Sequence, residues 1–234
     1  MNISRLKKPR NRPRISITKL AEYVEALPMR RRKILIDQKY PPDYQTTWYN
    51  ECFEPIVNFL IDPSHAPEPL HRAMAEISSK TAINEKQVIA RSNNIEALRH
   101  LLNTRNKFAF TDYTLRRLPE QAPYLHVAGV AISVRPELEI LNVGRNDQVV
   151  RYGYLKLYIN KGHPLAEETG KYAGTMVHQF AHYQHQEKDI VDRKCCLVLD
   201  LFREELHMAP QNYQNRRAQI TAACFEIASQ WPAL

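Results

Sequence analysis

The stretch from Val127 to Tyr183 limits the possible folds of this chain most, because its hydrophobic period changes from two to about 3.6 within it, committing it to strands followed by a helix. From Val150 to Ile159 the alternation puts Val150, Tyr152, Tyr154, Lys156 and Tyr158 on one strand face and Leu155, Leu157 and Ile159 on the other. Upstream, Val127 to Ile140 alternates in the same way. Val130, Ile132, Val134, Leu138 and Ile140 point one way, and Ser133, Arg135, Glu137 and Glu139 the other, as in a single strand. Asn142 to Gln148, with Gly144 before Arg145-Asn146-Asp147, has the turn chemistry of a hairpin loop. A helix should follow. Pro164 suits its first turn, and Glu167 and Glu168 suit the positive end of its dipole. Leu165, Tyr172, Ala173, Met176, Val177, Phe180 and Ala181 form its apolar stripe. Gln179 and Tyr183, four apart, share a face that can reach over the strand edge carrying Lys156. Cys195 to Phe202 is a short continuous apolar run, the pattern of a strand buried on both sides.

Composition sets the class. With 234 residues, 44% hydrophobic and 25% charged, the chain can bury a core of its own, as one domain or one with a smaller appended module. No run reaches the roughly 18 apolar residues of a membrane span. The amino terminus is charged without an apolar segment, so no secretory signal is read, no membrane partner is expected and the expected compartment is the cytoplasm. Cys52, Cys195, Cys196 and Cys224 show no CxxC spacing and are expected to be reduced and mostly buried. His178 and His182 have the spacing of a helical zinc motif that His185 extends, but Gln179 stands where a zinc peptidase needs its glutamate base, so zinc is not expected. Gly162-His163-Pro164 reads as a turn.

The net charge of +8 gathers at the amino terminus. Arg10, Arg12, Arg14, Arg30, Arg31, Arg32 and Lys33 are candidate phosphate contacts, with Arg216 and Arg217 as a second group. A solvated tail or a dock for an acidic protein are the alternatives. Residues 1–15 read as a flexible basic arm and 16–69 as a helical accessory module, with a helix from Ile17 to Leu27 capped by Ser16 or Thr18. Tyr44, Trp48, Tyr49, Cys52, Phe53, Ile56, Val57 and Leu60 form a second, aromatic-rich stripe, more in keeping with core than with base stacking. Helices follow over Leu70–Ser79, over Asn84–Leu102 with a candidate break at Ser92-Asn93-Asn94, and over Asn212–Trp231. The first hundred residues thus read as wholly helical, and residues 70–234 as the main body.

The order of strand, Pro136-Glu137, strand, Tyr154-Leu155-Lys156, helix with Gln179 and Tyr183, strand resembles the core of the PD-(D/E)XK nuclease superfamily, in its RecB-like branch. The resemblance covers roughly Asn93 to Phe202. It implies an α/β (α+β) fold in which helices flank a four-stranded mixed sheet, a restriction-endonuclease-like core, and a phosphodiester hydrolase using Mg2+ or Mn2+. Glu137 would bind metal with help from Glu139 and Glu96, Lys156 would act on the attacking water, and Gln179 and Tyr183 would touch the substrate or fix the lysine. Tyr154 departs from the family's second acidic position, and a phenol is a poor ligand for a hard cation. The four cysteines lack the arrangement of the iron–sulfur members, so no cluster is expected. The implied partner is nucleic acid, DNA ahead of RNA. The alternative is a catalytically degenerate nuclease fold that holds nucleic acid within a larger defence or mobile-element complex. In the plainest reading Glu137 and Glu139 are solvent-facing residues neutralised by Lys156.

Overall fold

The run from Val127 to Ile140 is two strands, not one. A kink over 134–137, with Arg135 at φ +46°, sends its halves into different sheets. The kink spans an even number of residues, so the side-chain parity carries through it and the alternation reads as unbroken. The structure is a computed structural model that describes residues 9–41, 48–108, 110, 113–118, 123–143, 149–185 and 190–234.

The first half of the run, β4 (Val130–Ser133), lies between β1 (Arg14–Ser16), parallel to it, and β3 (Leu125–Val127), antiparallel. The second half, β5 (Leu138–Val143), enters a larger mixed sheet with β2 (Thr114–Arg117), β6 (Val150–Tyr158), β7 (Leu197–Asp200) and β8 (Glu205–Met208). Its order is β2-β5-β6-β7-β8, and only β6 and β7 run parallel. The sheet therefore has five strands where four were expected. The β5–β6 hairpin forms in the anticipated place, with Val143 opposite Val150; its loop, 144–148, lies outside the described residues.

Alternation then decides what each face buries. Tyr154, Cys196 and Val198 face a core built from α1 (Ile17–Glu25), α2 (Pro28–Lys39), α6 (Glu167–Gln184), α7 (Tyr213–Gln230) and the small sheet. Leu138, Ile140, Leu155, Leu157, Leu197 and Leu199 face a second core under α3 (Asn50–Ile61), α4 (Glu68–Ser79) and α5 (Glu85–Thr104). The large sheet is thus the middle of three layers, and every residue of β7 is buried, as its continuous apolar run requires. The segment 16–69 contributes to both cores, and the first hundred residues are not wholly helical, since Arg14–Ser16 forms β1. Ser16 caps α1, its hydroxyl accepting the Lys19 N–H at 3.3 Å.

Two local features hold the layers together. α5 runs unbroken through Ser92-Asn93-Asn94 because the buried Asn94 side chain is fully used. It accepts the Cys52 N–H at 2.8 Å and donates to the Trp48 and Ala90 carbonyls at 2.9 and 2.6 Å, tying α5 to the start of α3. α6 lies flat on β8 because a Cβ on Gly170 would fall 2.3 Å from the His207 ring, and one on Gly174 would fall 2.7 Å from the Met208 backbone. Among the described residues, no helix is long and apolar enough to cross a membrane.

Candidate functional site

Glu137 and Lys156 meet. Glu137 ends the kink that leads into β5, and Lys156 stands on the α6 side of β6, near its carboxyl end. The Lys156 ammonium donates to the Glu137 carboxylate and to the Arg135 carbonyl at 3.0 Å, and the Leu157 N–H donates to the other oxygen of Glu137. The side chains keep only 10% and 20% of their exposure, respectively, so this is a largely desolvated ion pair. Burial pushes the Glu137 carboxyl above the usual carboxylate range, against the pull of Lys156 and of the Leu157 N–H.

The remaining residues of the expected site do not join this pair. Tyr154 is a core residue. It packs edge-on against Phe180, with ring centroids 5.3 Å apart, and its hydroxyl lies 3.3 Å from His185 Nε2. Burial and then the charge of Glu139 push its phenol up to about 12, so it stays protonated. Glu139 sits opposite Tyr154 in the sheet register, half-buried. Glu96 is on α5, which covers the opposite face of the sheet, and pairs with Lys161 at 2.6 Å. Gln179 and Tyr183 make no hydrogen bond to Glu137 or Lys156. The reason is direction: α6 runs back down the sheet and places Phe180 level with Tyr154, so Gln179 and Tyr183 fall beside and beyond Tyr154 rather than over Lys156. Gln179 Oε1 is buried without a partner, and Tyr183 is exposed.

This donor set does not fit a hard divalent cation. Both oxygens of Glu137 are already engaged, the position of the second acid holds a neutral phenol, and Glu96 is bound elsewhere. The buried Asp200, next to Tyr158 in the register, gives its oxygens to the Leu165 and Arg203 N–H groups at 2.7 and 3.3 Å. Among the described residues no three metal-ligating side chains converge.

The histidine pair of α6 lies in a cationic setting. His178 Nε2 is 3.0 Å from His182 Nε2, and Arg217 approaches His178 Nδ1 at 3.4 Å while stacking 4.9 Å from the Tyr213 ring centroid. Burial, with the charges of Arg217, His182 and Arg193, lowers His178 to about 3. His185 turns away to stack on Tyr154. All four cysteines are free and buried, and burial raises every thiol, that of Cys195 to about 12, so none is poised as a thiolate.

The basic residues divide into two groups. Arg30 pairs with Glu22, Arg31 with Glu226 at 3.3 Å and with the Val24 and Ala26 carbonyls, Lys33 with Asp37 at 2.7 Å, and Arg216 with Glu168. Arg217 is half-buried against His178 and Tyr213. The expected cationic knot on α2 is thus largely neutralised, because α1 and α7 bring acids to it. Arg10, Arg12, Arg14 and Arg32 have no carboxylate partner among the described residues. No protein-family model matches the chain, and no curated protein is similar to it.

Proposed function

We propose that this chain binds nucleic acid on a nuclease-like three-layer fold and holds it without cutting it. The observation that carries this reading is the closed Glu137–Lys156 pair, with the Leu157 N–H on the remaining oxygen of Glu137 and Tyr154 in place of a second acid. Support for the fold comes from chain order: β5, β6, α6 and β7 follow one another as the PD-(D/E)XK resemblance implies, and the three strands are adjacent in one mixed sheet. Support for the ligand comes from the net charge of +8 and from the arginines left without acids.

A second reading, metal-dependent hydrolysis, draws on the meeting of the acid after Pro136 with the lysine of Tyr154-Leu155-Lys156. Incubating labelled single- and double-stranded DNA and RNA with the protein in Mg2+ and in Mn2+ separates the two. Salt-sensitive binding of intact strands supports holding. Cleavage that disappears in Lys156→Ala and Glu137→Ala would establish hydrolysis instead.

A further inference from the structure

We infer that the outer face of the small sheet, β1-β4-β3, is where a single-stranded nucleic acid lies; this rests on the nucleic-acid reading above. The inner face is core, with Ile15, Leu125, Val130 and Ile132 almost fully buried. Alternation turns Arg14, Ser16, Ala131, Ser133 and His126 outward.

Register then builds the surface. Arg14, Ala131 and His126 stand in one row across the three strands, and Ser16 pairs with Ser133 beside them. Because Ala131 is small, the Arg14 guanidinium reaches across it to lie 4.6 Å from the centroid of the Tyr124 ring. Tyr124 and His126 meet edge to face at 6.5 Å. The result is a floor of Ala and Ser side chains beside a guanidinium–aromatic stack, where a planar base can lie flat.

The charge belongs to the same face. Arg12 is exposed, and Arg10 feels the Arg14 charge, which together with burial lowers its own basicity. Arg10 is held in place: its N–H donates to the Lys39 carbonyl at 3.0 Å, and its carbonyl accepts the Trp231 indole N–H at 2.9 Å. Arg135, exposed, follows Ser133 by two residues, and its carbonyl takes a Lys156 proton. No carboxylate among the described residues pairs with any of these four arginines, whereas Arg30, Arg31, Lys33 and Arg216 are all matched to acids. A bound strand can therefore follow the β1–β4 face to Arg135, beside the Glu137–Lys156 pair. A duplex would meet the same arginines but present no free base face to Tyr124.

The test is fluorescence anisotropy with a labelled oligothymidylate, its RNA counterpart and a duplex of equal length, on the whole chain, with circular dichroism confirming that each variant folds. Single strands are expected to bind more tightly than the duplex. Tyr124→Leu should weaken single-strand binding about tenfold or more, while Tyr124→Phe retains it. Arg12→Ala/Arg14→Ala/Arg135→Ala should flatten the salt dependence by about two, at about 0.7 per single-strand phosphate. Arg30→Ala and Arg216→Ala should bind like the parent. If oligonucleotides bind but the small-sheet variants are silent, or the duplex binds equally well, this surface is the wrong one and the nucleic-acid reading still stands. If no polynucleotide binds at low salt, both fall.

Discussion

Replacing Lys156 by Met removes the only ammonium on Glu137 and leaves a carboxyl with about a tenth of its side-chain exposure. A buried carboxylate stripped of its partner is costly, about 3–5 kcal/mol in general. Here the loss has a ceiling, because Glu137 can take up a proton instead. From an ordinary glutamate value near 4.3, holding the neutral acid at pH 7 costs at most about 3.7 kcal/mol, and at pH 5 about 1 kcal/mol. A folded-state value raised above the unfolded one gives stability below the unfolded value that is lost as pH rises. The deficit of Lys156→Met relative to the parent should therefore be about 3–4 kcal/mol at pH 7 and should shrink by about 1.4 kcal/mol per unit toward pH 4.3. Urea unfolding followed by circular dichroism at pH 5, 6 and 7 measures it. Lys156→Met/Glu137→Gln should regain most of the loss, since the amide oxygen still accepts the Leu157 N–H. A deficit under about 0.5 kcal/mol that does not change with pH would place the pair among solvated surface ion pairs and would refute the reasoning.

Three further outcomes follow from the packing. His178 takes its proton near 6.5 when unfolded and near 3 when folded, so the unfolded chain binds more protons between those values. Its share of stability is lost as pH falls through that window, about 2 kcal/mol by pH 5, and His178→Gln should flatten the pH dependence of urea midpoints by that amount. Gly153→Ala would place a Cβ 2.1 Å from the Cys195 carbonyl oxygen, backbone against backbone. The forced separation should cost about 2–3 kcal/mol, read in thermal unfolding as a Tm lower by about 5–10 °C. Asn94→Ala leaves the Cys52 N–H without its acceptor and two carbonyls without a donor. A loss of about 2–4 kcal/mol, with faster hydrogen exchange at the Cys52 amide, is expected.

Elements whose identity rests on local periodicity were legible in the sequence. The β5–β6 hairpin, α6, the buried β7, the Ser16 cap and the long α7 all arise from patterns that side-chain parity or capping chemistry dictates. The kink at Arg135 was not, since an even-numbered break leaves the alternation intact. β1, β3 and β8 are three or four residues long, too short for periodicity to register, and exist by pairing with distant strands. Of the candidate site, the approach of Glu137 to Lys156 could be foreseen from adjacent strands. Its closure by the Leu157 N–H, the separation of Gln179 and Tyr183 from Lys156, and the pairing of Arg30, Arg31 and Lys33 with acids from α1, α2 and α7 depend on how helices lie on the sheet. Gly170 and Gly174, which set that placement, carry the one sequence signal that could have shown it: two small residues four apart on a helix.

The account rests on a nuclease-like sheet whose acid is already occupied by its own lysine. The most direct measurement follows an end-labelled single-stranded oligonucleotide with the protein in Mn2+ and in Mg2+, scoring binding and strand length in the same sample. A bound strand of unchanged length, released by added salt, is the predicted result. Shortened strands that become full-length again in Lys156→Ala and Glu137→Ala would contradict it.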